Sequence, residues 1–218
     1  MSSILVASSK GGCGKSTLST HLAAHFCVQG QRTALVDLDP QGSSLRWCQR
    51  RTEWLPAPVA IDGTQERWHK AMPEDVQQVV IDAPAGSTPD TLKSALKRVD
   101  VVLVPVLPAP FDLEATAMFL SALSRVPRVS SGELPIALIA NRVRPNTQAS
   151  QRALAQLHDW PYPILAELRD SQSYVLLTAL GKSLFDYGNE VAQEQQALWQ
   201  GVFTYLRKLE RRSKSAKD

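Results

Sequence analysis

The sequence predicts an α/β fold: a doubly wound, mostly parallel sheet flanked by helices. Three observations carry this. Apolar, β-branched runs recur at residues 4–7, 33–36, 79–81, 101–104 and 136–140, and near-continuous runs of that kind suit parallel strands buried on both faces. Helical patterns separate the runs, which implies right-handed βαβ units. The first run enters a glycine loop and then a helical pattern with Leu18, Leu22, Ala23 and Phe26. That order, strand to loop to helix, is the ligand-bearing corner of such sheets.

Composition sets the outer limits. Of 218 residues, 44% are hydrophobic and 21% charged, enough apolar material for one domain with a substantial core. A single domain over 1–212 is expected, with a basic, disordered tail over 213–218. No run approaches the ~18 apolar residues of a membrane span, and the N-terminus lacks the basic and apolar regions of a secretory signal. A cytoplasmic chain is expected. Cys13, Cys27 and Cys48 form no CxxC pair, which argues against a zinc knuckle or a redox motif. His21 and His25 have metal-compatible spacing on a helix, but no third ligand lies nearby, so packing or surface is expected. Net charge is +3, concentrated at the end, where Arg207, Lys208, Arg211, Arg212, Lys214 and Lys217 face only Glu210 and Asp218. Such a tail suits nucleic acid or anionic lipid as well as it suits a solvated end.

The informative loop is Lys10-Gly11-Gly12-Cys13-Gly14-Lys15-Ser16-Thr17. Its glycines allow a tight turn whose N–H groups converge on one anion, and the following helix adds its positive end. Lys15 is placed to reach β- and γ-phosphates and Ser16 to bind Mg²⁺. The general pattern G-x-x-x-x-G-K-[ST] would need glycine where Ser9 stands; here an extra lysine, Lys10, leads the loop.

This variant resembles the deviant Walker-A loop K-G-G-x-G-K-[ST] of the ParA/MinD family of P-loop ATPases. The resemblance implies ATP or ADP with Mg²⁺ on residues 11–17. It also implies a homodimer around two ATP molecules, with Lys10 reaching the partner subunit's nucleotide.

Asp37 and Asp39 stand at the carboxyl end of the second run, in Asp37-Leu38-Asp39-Pro40-Gln41-Gly42. Alternation puts both on one side of an extended chain. Beside a phosphate site they suit magnesium-bound waters or an attacking water; alone, the segment reads equally well as a turn. It is similar to the family's D-x-D-P-Q-G segment, which implies that Asp39 positions the hydrolytic water and Asp37 supports the magnesium shell. Asp82 ends the third run, before Ala83-Pro84-Ala85-Gly86. A strand-end aspartate alone is a weak signal, but the segment resembles the family's I-D-[TA]-P, which implies magnesium coordination by Asp82, direct or through water.

Residues 100–113 resemble the family's D-x-v-l-x-P-v-x-P-s-x-x-D-l stretch. Asp112 is expected to cap a helix carrying Ala115, Met118, Phe119 and Ala122. An asparagine amide offers donor and acceptor to an adenine edge, and the resemblance implies that role for Asn141, with Arg142 stacking. Residues 164–170 and 181–187 resemble the family's C-terminal R-D turn and G-x-[ST]-[VL]-x-[DE] pattern. The likeness spans roughly residues 3–190 and is nearest to small ParA-type partition ATPases lacking an N-terminal helix-turn-helix.

The family implies a slow ATPase stimulated by a ParB-like or cargo-adaptor protein. In the ATP state it would bind non-specific DNA, associate with the nucleoid, and partition or position a plasmid, DNA element or protein assembly. A membrane-cycling, MinD-like alternative would need the last helix, with Leu198, Trp199, Val202, Phe203, Leu206 and Leu209 on one stripe, as an amphipathic anchor. Packing of that stripe on the sheet is the favoured expectation, and membrane binding is not expected.

Overall fold

The computed structural model describes residues 1–215, with side chains through 212. In chain order the elements are β1 (Ser2–Val6), α1 (Lys15–Val28), β2 (Thr33–Asp37), α2 (Ser43–Arg50), β3 (Val59–Asp62), β4 (Gln78–Asp82), α3 (Lys93–Leu96), β5 (Val101–Val106) and α4 (Pro110–Leu123). There follow α5 (Pro127–Ser130), β6 (Ile136–Val143), α6 (Gln148–His158), β7 (Ile164–Arg169), α7 (Gln172–Ala179), α8 (Glu190–Ala197) and α9 (Gln200–Ser215). One seven-stranded sheet runs in the order β3-β2-β4-β1-β5-β6-β7, and every pairing is parallel. The chain leaves β1 toward β2 on one side and, after β4, continues through β5 on the other. The crevice of such a reversal opens at the carboxyl ends of the strands, where the glycine loop leaves β1.

The central strands are buried on both faces because their side chains alternate between two cores. Ile4, Val6, Leu35 and Leu103 pack with α1 and with Trp47, Trp199, Val202 and Leu206. Leu5, Val36, Val102 and Val104 pack on the opposite side with Leu96, Leu113, Phe119 and Leu157. The apolar stripe of the last helix therefore faces the sheet: Trp199 and Val202 are 0% exposed. No helix among the described residues is long and apolar enough to cross a membrane. Helix α9 continues through Ser215, so the backbone of 213–215 is helical where the sequence led us to expect a disordered tail; residues 216–218 lie outside the described residues.

Two further expectations change. Strand β7 joins the sheet beyond β6, although residues 164–169 form no continuous apolar run. As an edge strand it alternates, with Glu167 and Arg169 exposed and Ala166 and Leu168 buried, so it lacks the signal of a central strand. Helix α4 starts three residues earlier than a cap at Asp112 requires: Ala109 is its N-cap and Pro110 its first residue. Proline is preorganised for that position. Asp112 sits within the first turn, where its charge favours the helix dipole.

Candidate functional site

The glycine loop crosses from β1 to α1 over the carboxyl edge of the sheet. Gly12 and Gly14 have φ of +74° and +96°, a region that side chains disfavour. At Gly14 space is decisive as well, because a Cβ would lie 2.3 Å from Nδ2 of Asn141. That amide donates to the Cys13 carbonyl at 2.7 Å, so Asn141, at the end of β6, holds the loop from the side. Helix α1 begins after Gly14 with no side-chain cap, leaving first-turn N–H groups free for an acceptor. The Lys15 ammonium is nearly buried and donates to the Lys10 carbonyl at 2.8 Å. Cys13 Sγ donates to the same oxygen at 3.4 Å. The Cys13 side chain is buried.

Asp37 and Asp82 are adjacent across the β2–β4 ladder and both are fully buried. A residue that the sequence reading did not single out joins them. Ser44 donates its N–H to Asp37 Oδ2 at 2.8 Å and its hydroxyl to Asp82 Oδ2 at 2.5 Å. Asp37 also accepts from the N–H groups of Asp39 and Leu45, so it anchors the start of α2. Asp82 accepts from the Ser19 hydroxyl on α1 at 3.2 Å. Burial pushes its carboxyl up to about 6, against the hydroxyls of Ser44, Ser16 and Ser19, while the Asp37 charge adds to the rise. The signal that would have found Ser44 is its place at the start of a helix after Gly42, where serine N–H and hydroxyl groups meet acceptors.

Asp39 is set apart from this pair. It is half-buried and accepts from the Gln41 N–H at 2.9 Å, within the turn before α2. Lys10 is half-exposed, and its ammonium lies 3.8 Å from Asp112 at the start of α4. The Ser9 hydroxyl donates to the Ala115 carbonyl on the same helix. Ser9 O accepts from Gly86 N–H at 3.2 Å, tying the loop after β4 to the glycine loop.

Beside Gly14 and Thr17 opens a cleft of about 650 Å³, walled by Asn141, Arg142, Arg144 and Asp170, a size that suits a nucleotide-sized ligand. Arg142 is exposed and holds a φ of +54°, uncommon for a residue with a side chain. Neither His21 nor His25 lines the cleft; both sit in an aromatic cluster, with His21 directly behind Thr17 and Tyr174 of its wall. The His21 ring stacks on Trp199 and its Nδ1 approaches the Thr17 carbonyl at 2.9 Å; His25 stacks on Phe203 at 3.6 Å. Both rings are thus engaged in aromatic packing, and no group of three or more His, Cys, Asp or Glu side chains is placed to hold a metal among the described residues.

Residues 4–184 match the family model described as the CobQ/CobB/MinD/ParA nucleotide binding domain. The chain belongs to the CobQ/CobB/MinD/ParA family. Among relatives in this family, maintenance of carboxysome distribution protein A of Halothiobacillus neapolitanus is 28% identical over 190 residues, covering 85% of this chain and 87% of that protein. The chromosome-partitioning ATPase Soj of Thermus thermophilus is 32% identical over 154 residues, covering 56% of this chain and 61% of that protein. The solved McdA–ATP complex of Cyanothece superposes with a TM-score of 0.71 over 96% of both chains, at 17% identity. The seven-stranded parallel sheet is thus the fold of ParA/MinD-type P-loop proteins.

Proposed function

We propose that this protein is a ParA-like ATPase that forms a dimer around two ATP molecules, binds non-specific DNA in the ATP state, and positions a cargo through partner-stimulated hydrolysis. The observation that carries this reading is the lysine-led glycine loop set beside the paired carboxylates, in a chain similar along most of its length to maintenance of carboxysome distribution protein A.

The residues fit a magnesium nucleotide. The free N–H groups at the start of α1 and the Lys15 ammonium suit phosphate oxygens. The hydroxyl of Ser16 and the carboxylates of Asp82 and Asp37 are hard oxygen donors. Ser16 and Asp82 would hold Mg²⁺, with Asp37 acting through water. When bound, Mg²⁺ neutralises charge on the β- and γ-oxygens. Lys15 leaves the Lys10 carbonyl for the phosphates, and residues 11–17 wrap them. Asn141 keeps its carbonyl oxygen for the base, since one of its N–H groups is committed to Cys13, and Arg142 lies over the same cleft. Lys10 exchanges Asp112 for the nucleotide of the partner subunit. Asp39, outside the buried pair, orients the attacking water.

The test uses Asp39→Ala, with duplex DNA and anionic vesicles in ATP, ADP or no nucleotide. ATP-dependent, salt-sensitive DNA binding by a trapped dimer is expected. Rapid turnover by this variant would remove the role given to Asp39, and vesicle binding without DNA binding would replace partitioning by membrane cycling. Lys15→Ala is expected to lose nucleotide binding at least 100-fold, the scale of about 2.7 kcal/mol for a lost charged contact.

A further inference from the structure

At the end of α4 opposite the glycine loop lies a groove of about 570 Å³, formed with α3 and the turn into α5. Its floor is apolar, built from Leu96, Ala122 and Val126, and its rim carries Lys93, Lys97 and Arg125. None of these three cations forms an ion pair among the described residues. Arg128 also lines the groove, but its charge is met by Glu133 at 2.6 Å and by the carbonyls of Leu96 and Val99. Asp90 supplies the one acid of the lining. A second, shallower concavity continues along α4 and shares Ala122 and Arg125 with the groove; it contains Met118, which is 71% exposed.

We propose that this groove docks an acidic amphipathic helix of a partner protein. The apolar floor, extended by Met118, suits side chains spaced three and four apart on one helical face. The three open cations suit carboxylates flanking that face, a complementarity that sets orientation and speeds encounter. Duplex nucleic acid shares the preference for cations, but it offers phosphates and no apolar ridge to fill the floor. Both walls also lead to the glycine loop. The first turns of helix α4 carry Asp112 and Ala115, which touch Lys10 and Ser9. The segment entering α3 passes Gly86, whose N–H meets the Ser9 carbonyl. Occupancy of the groove therefore bears on the loop from two sides.

The probe is a fluorescein-labelled 14-residue helical peptide with leucines at three- and four-residue spacing flanked by glutamates. Its controls are the lysine-for-glutamate counterpart and a 20-base-pair duplex. Anisotropy on the full chain is expected to show the acidic peptide binding at least tenfold tighter than the basic one. Lys93→Glu, Lys97→Glu and Arg125→Glu together should invert that preference, and Val126→Asp should weaken both peptides. All three cations are exposed, so the charge-reversed chain is expected to fold. Chemical-shift mapping of the unaltered protein gives a second readout, with changes expected at Lys93, Lys97, Ala122 and Arg125. Equal binding of the two peptides, or shifts clustered elsewhere, overturns the proposal. Loss of duplex binding alone on charge reversal would make the groove a nucleic-acid surface instead. Peptide docking does not require ATP, so its failure with ATP-dependent DNA binding intact leaves the ATPase reading standing.

Discussion

Helices α1 and α4 are each 14 residues long, and each starts at the glycine loop or against it, yet they are held very differently. Ten residues of α1 are buried, against five of α4. Helix α1 sits between β4, the segment at 184–186 and the aromatic cluster of Tyr174, Phe185, Trp199 and Phe203. Helix α4 covers the other core with one stripe and leaves Phe111 and Met118 to solvent. The loop therefore has one fixed end and one adjustable neighbour. Its phosphate-facing residues are built into α1, whereas Lys10 meets α4 through a single pair at 3.8 Å. A site that must bind nucleotide reproducibly and also respond to another surface has reason to divide its supports in this way.

The largest test of the contrast is truncation. Leu22→Ala, at a fully buried position of α1, is expected to cost about 2–5 kcal/mol of unfolding free energy. Met118→Ala on α4 is expected to stay within about 0.5 kcal/mol. Urea unfolding of both variants checks this, and equal losses would erase the distinction.

A somewhat smaller effect concerns pH. Burial lowers His21 to about 4, with the Thr17 carbonyl and Asp186 opposing and Arg51 adding to the shift. His25 also falls to about 4, through burial and the nearby Arg207. Between the ordinary histidine value of 6.5 and about 4 the unfolded chain binds protons that the folded chain refuses. Stability contributed by the neutral rings is thus complete above pH 6.5 and is lost as pH falls toward 4. For His21 the ceiling is about 3 kcal/mol; half-exposed His25 adds less. Asp82 works in the opposite sense, since its raised carboxyl makes the folded chain the better proton acceptor between about 4 and 6. Comparing the parent chain with His21→Leu cancels that contribution. The parent is expected to lose more stability than the variant between pH 7 and 4.5, and parallel curves would mean that His21 takes up its proton alike in the folded and unfolded chain.

The smallest expected effect is at the α4 contact itself. Asp112→Asn removes one partner of a half-exposed ion pair, for which about 0–1 kcal/mol is usual. Thermal unfolding should barely move, and a loss well above 1 kcal/mol would show that α4 is anchored to the loop as firmly as α1.

The candidate site was legible in the sequence where its parts are local. Residues 10–17, Asp37 and Asp82 each belong to a strand-and-turn motif whose chemistry is written in neighbouring positions. Other parts depend on distant packing. Ser44 matters because the β2–β4 ladder brings Asp82 beside Asp37. Arg51 reads as one more surface arginine, yet it is buried in a two-pronged pair with Asp186, 135 residues away. The charged alternation of β7 hid an edge strand, and Pro110 moved the start of α4 away from Asp112.

The order of apolar runs and glycines was enough to determine a parallel α/β sheet with a phosphate-type loop at its carboxyl edge, because strand burial and turn conformation are short-range demands on the chain. Tertiary structure alone decided which hydroxyls reach the buried carboxylates and which cations stand open along the α3–α4 groove. Those outcomes depend on side chains meeting across long stretches of sequence, and a linear pattern does not encode which distant groups will compete for the same partner.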